Sequence, residues 1–177
     1  MIKKIKISGL SNKDYKSLSI FLKEEDKKKR NLDFWNNRLL FWWDQNPFFS
    51  NNKLRGYILK SDKKIIGFFG LIIMKFKSHN SKKILETYTY TTWVVNKKFR
   101  AYSLNLLNRI LDNKKITNHI DGTPTKDVER ILNHFNFRNK SLKRSKIFFP
   151  NLFTLLKHSS SKNKDIFSKF FLIVAGG

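Results

Sequence analysis

The chain has 177 residues, 40% of them hydrophobic and 28% charged, which supports one packed core and excludes both a pair of ordinary domains and wholesale disorder. It contains no cysteine, which rules out disulfides, thiolate metal sites and a cysteine nucleophile and fits a cytoplasmic protein. A net charge of +24 would ordinarily point to a polyanionic partner.

The N-terminal MIKKIKISGL has no apolar run of signal-peptide length, and Phe170–Ala175 falls far short of the ~20 residues of a membrane span. A soluble protein is expected. Lys3–Ile7 reads as a short strand ended by Ser8, Gly9 and Ser11. From Lys13 to Glu25 the apolar residues Tyr15, Leu18, Phe21 and Leu22 follow helical spacing. Asn31 can cap a second helix, whose Leu32, Trp35, Leu39 and Trp42 or Trp43 share a face until Pro47 stops it; the three tryptophans are assigned to the core. A hairpin follows, joining Gly56–Lys60 to Lys64–Phe76 through a turn at Ser61-Asp62, and Gly67 and Gly70 mark a bulge or a close approach. Ile84–Val95, dense in Thr, Tyr, Trp and Val, is a strong strand. The chain then breaks without glycine or proline and enters a helix whose Leu104, Leu107 and Leu111, flanked by Leu106 and Ile110, form a face to be buried. KKITNHI is a shorter strand, and DGTP turns into a helix capped by Thr125, with Asp127 in its first turn and a stripe of Val128, Ile131, Leu132 and Phe135. Asn136 suits a left-handed helix end. Beyond it, IFFPNLFTLLKH suggests a strand, a break at Pro150 and a short helix, and the last apolar run a final strand or an interaction surface.

Three stretches carry a family resemblance: the hairpin GYILKSDKKIIGFFG, the segment WVVNKKFRAYSLNLL and the helix end VERILNHFNFR. Together, over about residues 3–146, they resemble the GNAT superfamily of acetyl-CoA-dependent N-acetyltransferases, in a branch with a Trp-x-Val start and Phe-Arg-x-x-Ser-Leu-x-Leu-Leu in place of the glycine-rich loop. Val95, Phe99 and Arg100 fit the pattern, Lys97 replaces a proline, and Ser103 and Asn105 stand at the two glycine positions. The resemblance implies an α/β (α+β type) fold with a mixed, mostly antiparallel sheet flanked by helices, in one domain of residues 1–177 with a less certain tail from 147. It also implies an enzyme that moves an acetyl group from acetyl-CoA to a small-molecule or peptide amine.

A helix start offers unpaired N–H groups and partial positive charge to an anion. The coenzyme A pyrophosphate is therefore expected over Arg100, Ala101, Tyr102, Ser103 and Leu104, with Lys97 and Lys98 adding charge. By the resemblance, the pantetheine arm lies along the backbone of Trp93, Val94 and Val95. The family's tyrosine acid has Leu132 in its place. Glu86 is the family-like base, and His119 and Asp121 end a strand on the side where α/β folds bind ligands. The four histidines lack metal-ligand spacing, so no metal is expected. Lysine is accompanied by abundant Asn, Ile and Phe, the mix that an A+T-rich coding sequence imposes, and the basic runs Lys23–Arg30 and Lys140–Lys146 lack interleaved aromatics. A non-catalytic basic module that binds nucleic acid or another anionic surface is thus the alternative rather than the favoured reading.

Overall fold

The computed structural model describes residues 5–77 and 84–138, and packing divides the chain into two units, residues 1–130 and 131–177. The first unit contains β1 (Ile5–Gly9), α1 (Tyr15–Glu25), α2 (Leu32–Trp42), β2 (Gly56–Ser61), β3 (Lys64–Lys77), β4 (Ile84–Val95), α3 (Ser103–Leu111) and β5 (His119–Ile120), and α4 (Lys126–His134) begins in it. This is the element order read from the sequence. The features expected after residue 138, including Lys140–Lys146 and the Pro150 break, lie outside the described residues.

The strands form one sheet in the order β1-β2-β3-β4-β5. Its pairs are antiparallel except the last, where β4 and β5 run parallel at Tyr88↔His119 and Thr89↔Ile120. α1 and α2 cover one face. Leu18, Phe21 and Leu22 from α1 and Trp35, Leu39, Trp42 and Trp43 at α2 are buried with Ile58, Ile65 and Phe68 of the sheet, so the tryptophans are core residues as expected. The α3 helix packs on β2 and β3, and Asn113 just after it donates to the Tyr57 hydroxyl at 3.2 Å.

Local chemistry explains the helix boundaries. Ser11 and Asp14 form a capping box, with the Ser11 N–H and hydroxyl both donating to Asp14 Oδ2, at 3.1 and 2.7 Å. Asn31 caps α2 as expected, its side chain accepting from the Phe34 N–H at 2.8 Å. Between the helices, Asp26 takes both arms of the Arg30 guanidinium, at 2.6 and 2.9 Å. In the second unit α4 ends as the sequence suggests: Asn136 has φ +60°, its N–H meets the Asn133 carbonyl and that of Phe137 meets Leu132. This pattern satisfies two terminal carbonyls at once.

Six expectations need correction. β1 includes Ser8 and Gly9 rather than ending before them, and α2 ends at Trp42, ahead of Pro47. The hairpin turn is Asp62-Lys63, one residue later than expected, with the left-handed conformation taken by Asp62 (φ +56°); Ser61 still pairs with Lys64. The α3 face is centred on Leu106, Leu107 and Ile110, whereas Leu104 is exposed, because the helix starts late and its first turn stands clear of the sheet. The strand expected over KKITNHI shrinks to His119–Ile120, since Asn113 turns the chain with a side-chain bond to the Lys115 N–H. The first helix begins at Tyr15, Asn12–Asp14 forming a separate 3-10 turn.

Gly56 opens β2 at φ +128°, and a Cβ there would lie 2.2 Å from the Phe69 carbonyl oxygen. Gly56→Ala combines a strained backbone with a clash against a paired strand, and it is expected to lower stability by about 2 kcal/mol or more. Urea unfolding measures this; a change under about 0.5 kcal/mol would show that the Phe69 backbone yields freely.

Candidate functional site

The site grows from a mismatch of strand lengths. β4 is twelve residues long, but β5 pairs with it only at Tyr88 and Thr89. From Thr91 onward that edge of β4 has no strand partner among the described residues. On the other edge, Phe69 faces Trp93 and Leu71 faces Tyr90, so Gly70 alone opposes both Thr91 and Thr92. β4 therefore carries a β-bulge, which bends the strand and increases its twist. Gly70 permits it: a Cβ there would come within 2.5 Å of Thr91 Cγ2 and 2.6 Å of Phe68 Cζ. The reading of Gly70 as a bulge marker is thus met on the partner strand.

Where β4 and β5 part, a cleft of about 310 Å³ opens between Tyr90–Trp93 and the loop of Asp121, Thr123, Pro124 and Thr125. Its aromatic wall is rigid. Phe69 stacks on Trp93 with centroids 4.6 Å apart and planes 9° from parallel, and it meets Tyr90 edge-on at 4.9 Å. The Trp93 indole N–H is buried without an acceptor, a state that a native fold usually avoids. Tyr90 Oη lies 3.1 Å from His119 Nδ1. Asp121 accepts the Thr123 N–H at 3.0 Å.

Burial sets the protonation of this group. It pushes the Tyr90 phenol well above the usual tyrosine range, helped by the nearby Asp121 charge. It pushes His119 down, partly offset by a hydrogen bond to the Ile116 carbonyl, and pushes the Asp121 carboxyl up, partly offset by the Thr123 N–H.

The break after β4 is made by Asn96. Its N–H holds the Ile66 carbonyl at 2.9 Å and its carbonyl accepts the Phe99 N–H at 2.8 Å. Its side chain accepts from the Lys98 N–H at 3.2 Å and donates to Glu25 at 2.6 Å. A cap in this position starts a 3-10 turn over Lys97–Tyr102 that runs straight into α3, and neither glycine nor proline is needed. Ser103 is therefore the first residue of α3 and not its cap, and its N–H already bonds the Arg100 carbonyl.

The expected site residues divide accordingly. Trp93, Asp121 and, behind Tyr90, His119 gather around the cleft. Val95 is buried, and Val94 packs toward the α1–α2 core, leaving their backbone as the part a ligand can use. Arg100, Ala101, Tyr102 and Leu104 are exposed at the start of α3, with Ser103 half-buried among them. Glu86 stands apart, bonded to Lys53 at 2.5 Å and five residues, about 17 Å of extended strand, before the bulge. Sequence reasoning passed over Tyr90, Phe69 and Lys53. Tyr90 sits in the alternating TYTYTT run, but its nearness to His119 depends on a β4–β5 register that no local pattern encodes. No group of three or more His, Asp or Glu residues placed to hold a metal ion occurs among the described residues, nor any helix long and apolar enough to cross a membrane.

No protein-family model and no curated protein matches the chain. Solved structures do. A glucosamine-6-phosphate N-acetyltransferase from Arabidopsis thaliana aligns with 83% of this chain and 100% of its own, at TM-score 0.58 and 16% identity. A predicted acetyltransferase with acetyl-CoA from Clostridium acetobutylicum aligns with 85% and 98%, at TM-score 0.60 and 16% identity. A GNAT family acetyltransferase from Staphylococcus aureus aligns with 83% and 100%, at TM-score 0.55 and 18% identity. The chain thus has the mixed α/β fold of GNAT acetyltransferases, as its sequence motifs suggested.

Asp121 gives a test of the site's electrostatics. Its folded pKa exceeds its unfolded one, so the carboxylate's burial penalty is absent below the unfolded value near 4, appears as pH rises through the folded pKa, and persists above it. Asp121→Asn keeps an acceptor for Thr123 and should raise the melting temperature at pH 7 but not at pH 3. An equal gain at both pH values, or none, would show that the carboxylate carries no such penalty.

Proposed function

We propose that the protein is an acyltransferase that moves an acetyl group from acetyl-CoA to an amine, with residues 1–177 as one catalytic domain. The observation that carries this reading is the open edge of β4: from Thr91 to Val95 the backbone beside the cleft has no strand partner among the described residues. An extended amide-bearing chain such as pantetheine pairs with such an edge as an added strand would.

The residues present fit this cosubstrate. The Trp93 ring, whose buried N–H has no acceptor, forms part of the cleft wall. Arg100, Lys97 and Lys98 are exposed beside the start of α3, where cationic side chains and the helix dipole favour phosphate. Since the Ser103 N–H is engaged, the Arg100 side chain takes a larger share of that anion than a glycine-rich loop would leave to it. When bound, acetyl-CoA supplies an activated acyl carbon. Asp121, the one carboxyl among the described residues bordering the cleft, faces the acceptor's amine and favours its approach. The wall of Phe69, Tyr90 and Trp93 excludes water and fixes orientation, which contributes much of the rate in a transfer of this kind. The acceptor is a small-molecule or peptide amine.

Calorimetry with acetyl-CoA tests the reading. Saturable binding is expected, and Arg100→Glu should weaken it about tenfold or more while leaving the melting temperature within about 2 °C. Absence of binding to the wild type, alongside salt-sensitive binding to generic DNA, would replace the enzyme with a basic binding module. Unchanged affinity in the variant would move the phosphates away from α3.

A further inference from the structure

We propose that Tyr90 and His119 form a proton relay that removes the proton from the acceptor's nucleophilic nitrogen, Tyr90 facing the nitrogen and His119 acting through it as a positioning base. The inference rests on the acyltransferase reading and adds to it a route for the proton that the sequence motifs do not supply.

The geometry comes from three elements. Tyr90 is the last β4 residue before the bulge and borders the cleft, although only 6% of its surface is exposed. The edge-on contact with Phe69 fixes the plane of its ring, and its Oη lies 3.1 Å from Nδ1 of His119 on β5. The imidazole is held in turn, edge-on to Tyr90 with centroids 5.7 Å apart and hydrogen-bonded to the Ile116 carbonyl. Several titratable groups surround the pair. Tyr88 is the register neighbour of His119, Asp121 acts on the phenol through its charge, and the Lys53–Glu86 ion pair lies farther back along β4 near Tyr88.

Burial keeps the phenol protonated and the imidazole neutral at pH 7, so the resting pair is a donor hydroxyl against a ring nitrogen able to take a proton. This requires the His119 tautomer with its hydrogen on Nε2. During transfer the acceptor nitrogen bonds to the acyl carbon and the carbon–sulfur bond breaks. The nitrogen's proton passes to the Tyr90 oxygen while the phenol's own proton passes to Nδ1. The imidazolium then gives its proton to water and the released thiolate takes one up, so one proton moves from nitrogen to sulfur overall. Removing a group that transfers this proton lowers the rate by about a hundredfold or more.

The test uses the full chain as wild type, Tyr90→Phe and His119→Gln, with three readouts. Nitrogen NMR of the His119 ring should show an unprotonated, hydrogen-bonded Nδ1 in the wild type, and in Tyr90→Phe that signal should shift and the imidazole pKa change by on the order of half a unit. Acetyl-CoA affinity by calorimetry should stay within about twofold in both variants. Thiol release with benzylamine as the probe acceptor should fall by about a hundredfold in both, and the acidic limb of the kcat/KM profile should disappear in His119→Gln. An Nδ1 that carries the ring hydrogen overturns the relay whatever the activities. Two variants that keep near-wild-type rates and pH profiles also overturn it, and leave the acyltransferase reading standing. A wild type that does not bind acetyl-CoA removes that reading, and the relay with it.

Discussion

The fold depends on how backbone hydrogen bonds are completed where β3 and β4 outrun their neighbours. β2 begins at Gly56, opposite Gly70, so the rest of β3 would leave an unpaired edge, and a buried unpaired amide or carbonyl costs about 1–3 kcal/mol. The region after α2 completes it. The fully buried Trp43 indole donates to the Leu71 carbonyl at 2.8 Å, Asn46 donates to that of Ile73 at 3.0 Å, and the Leu71 N–H reaches the Arg55 carbonyl at 3.0 Å. These bonds explain the place of Trp43 just past α2 and tie the segment before β2 to the edge of β3, where its polar groups stand in for the missing strand.

The matching problem on β4 has the opposite solution. No strand among the described residues pairs with its edge beyond Thr91, and the β-bulge lies in that same stretch, opposite Gly70. On the acyltransferase reading, the completed overhang is structural and the open one receives the ligand. The buried, partnerless Trp93 N–H beside it is consistent with that division. The aromatic stack of Phe69 and Trp93 keeps the opening from collapsing, because two flat rings in contact cannot shift without losing most of their shared area.

Much of the fold was legible from the chain because its signals are local. Strand alternation in Ile84–Val95, the Asn31 cap, Trp35 and Trp42 on one helix face and Asn136 at the end of α4 all follow from near-neighbour chemistry. Some misses are local, such as the Asp62 turn and the Asn113 bond that shortens β5, and others depend on partners distant in sequence. The buried face of α3 follows from where that helix meets β2 and β3. Asn96 is recognisable as the break only once Ile66 and Glu25 are seen to hold it. For the site, the strand–turn–helix segment was visible as a motif, and His119 and Asp121 as strand-end residues. Tyr90 was invisible because its meaning comes from a pairing between residues twenty-nine positions apart.

Charge adds a last constraint on what such a cleft can accept. A net charge of +24 draws polyanions toward the molecule and slows the approach of free cationic amines. At physiological salt, however, exposed charges farther than about 8 Å away are largely screened, so within the cleft the nearest charged groups outweigh the distant lysines. Among the described residues Asp121 is the one carboxyl bordering that space, and its half-buried position weakens its screening by solvent. On the acyltransferase reading the two scales divide the work: the overall field gathers the phosphate-bearing cosubstrate, and a single local carboxylate offsets the field where the amine must enter. Nitrogen attacks only when unprotonated, so an acceptor drawn in as a cation first gives one proton to water, and the proposed relay takes the second as the amide forms.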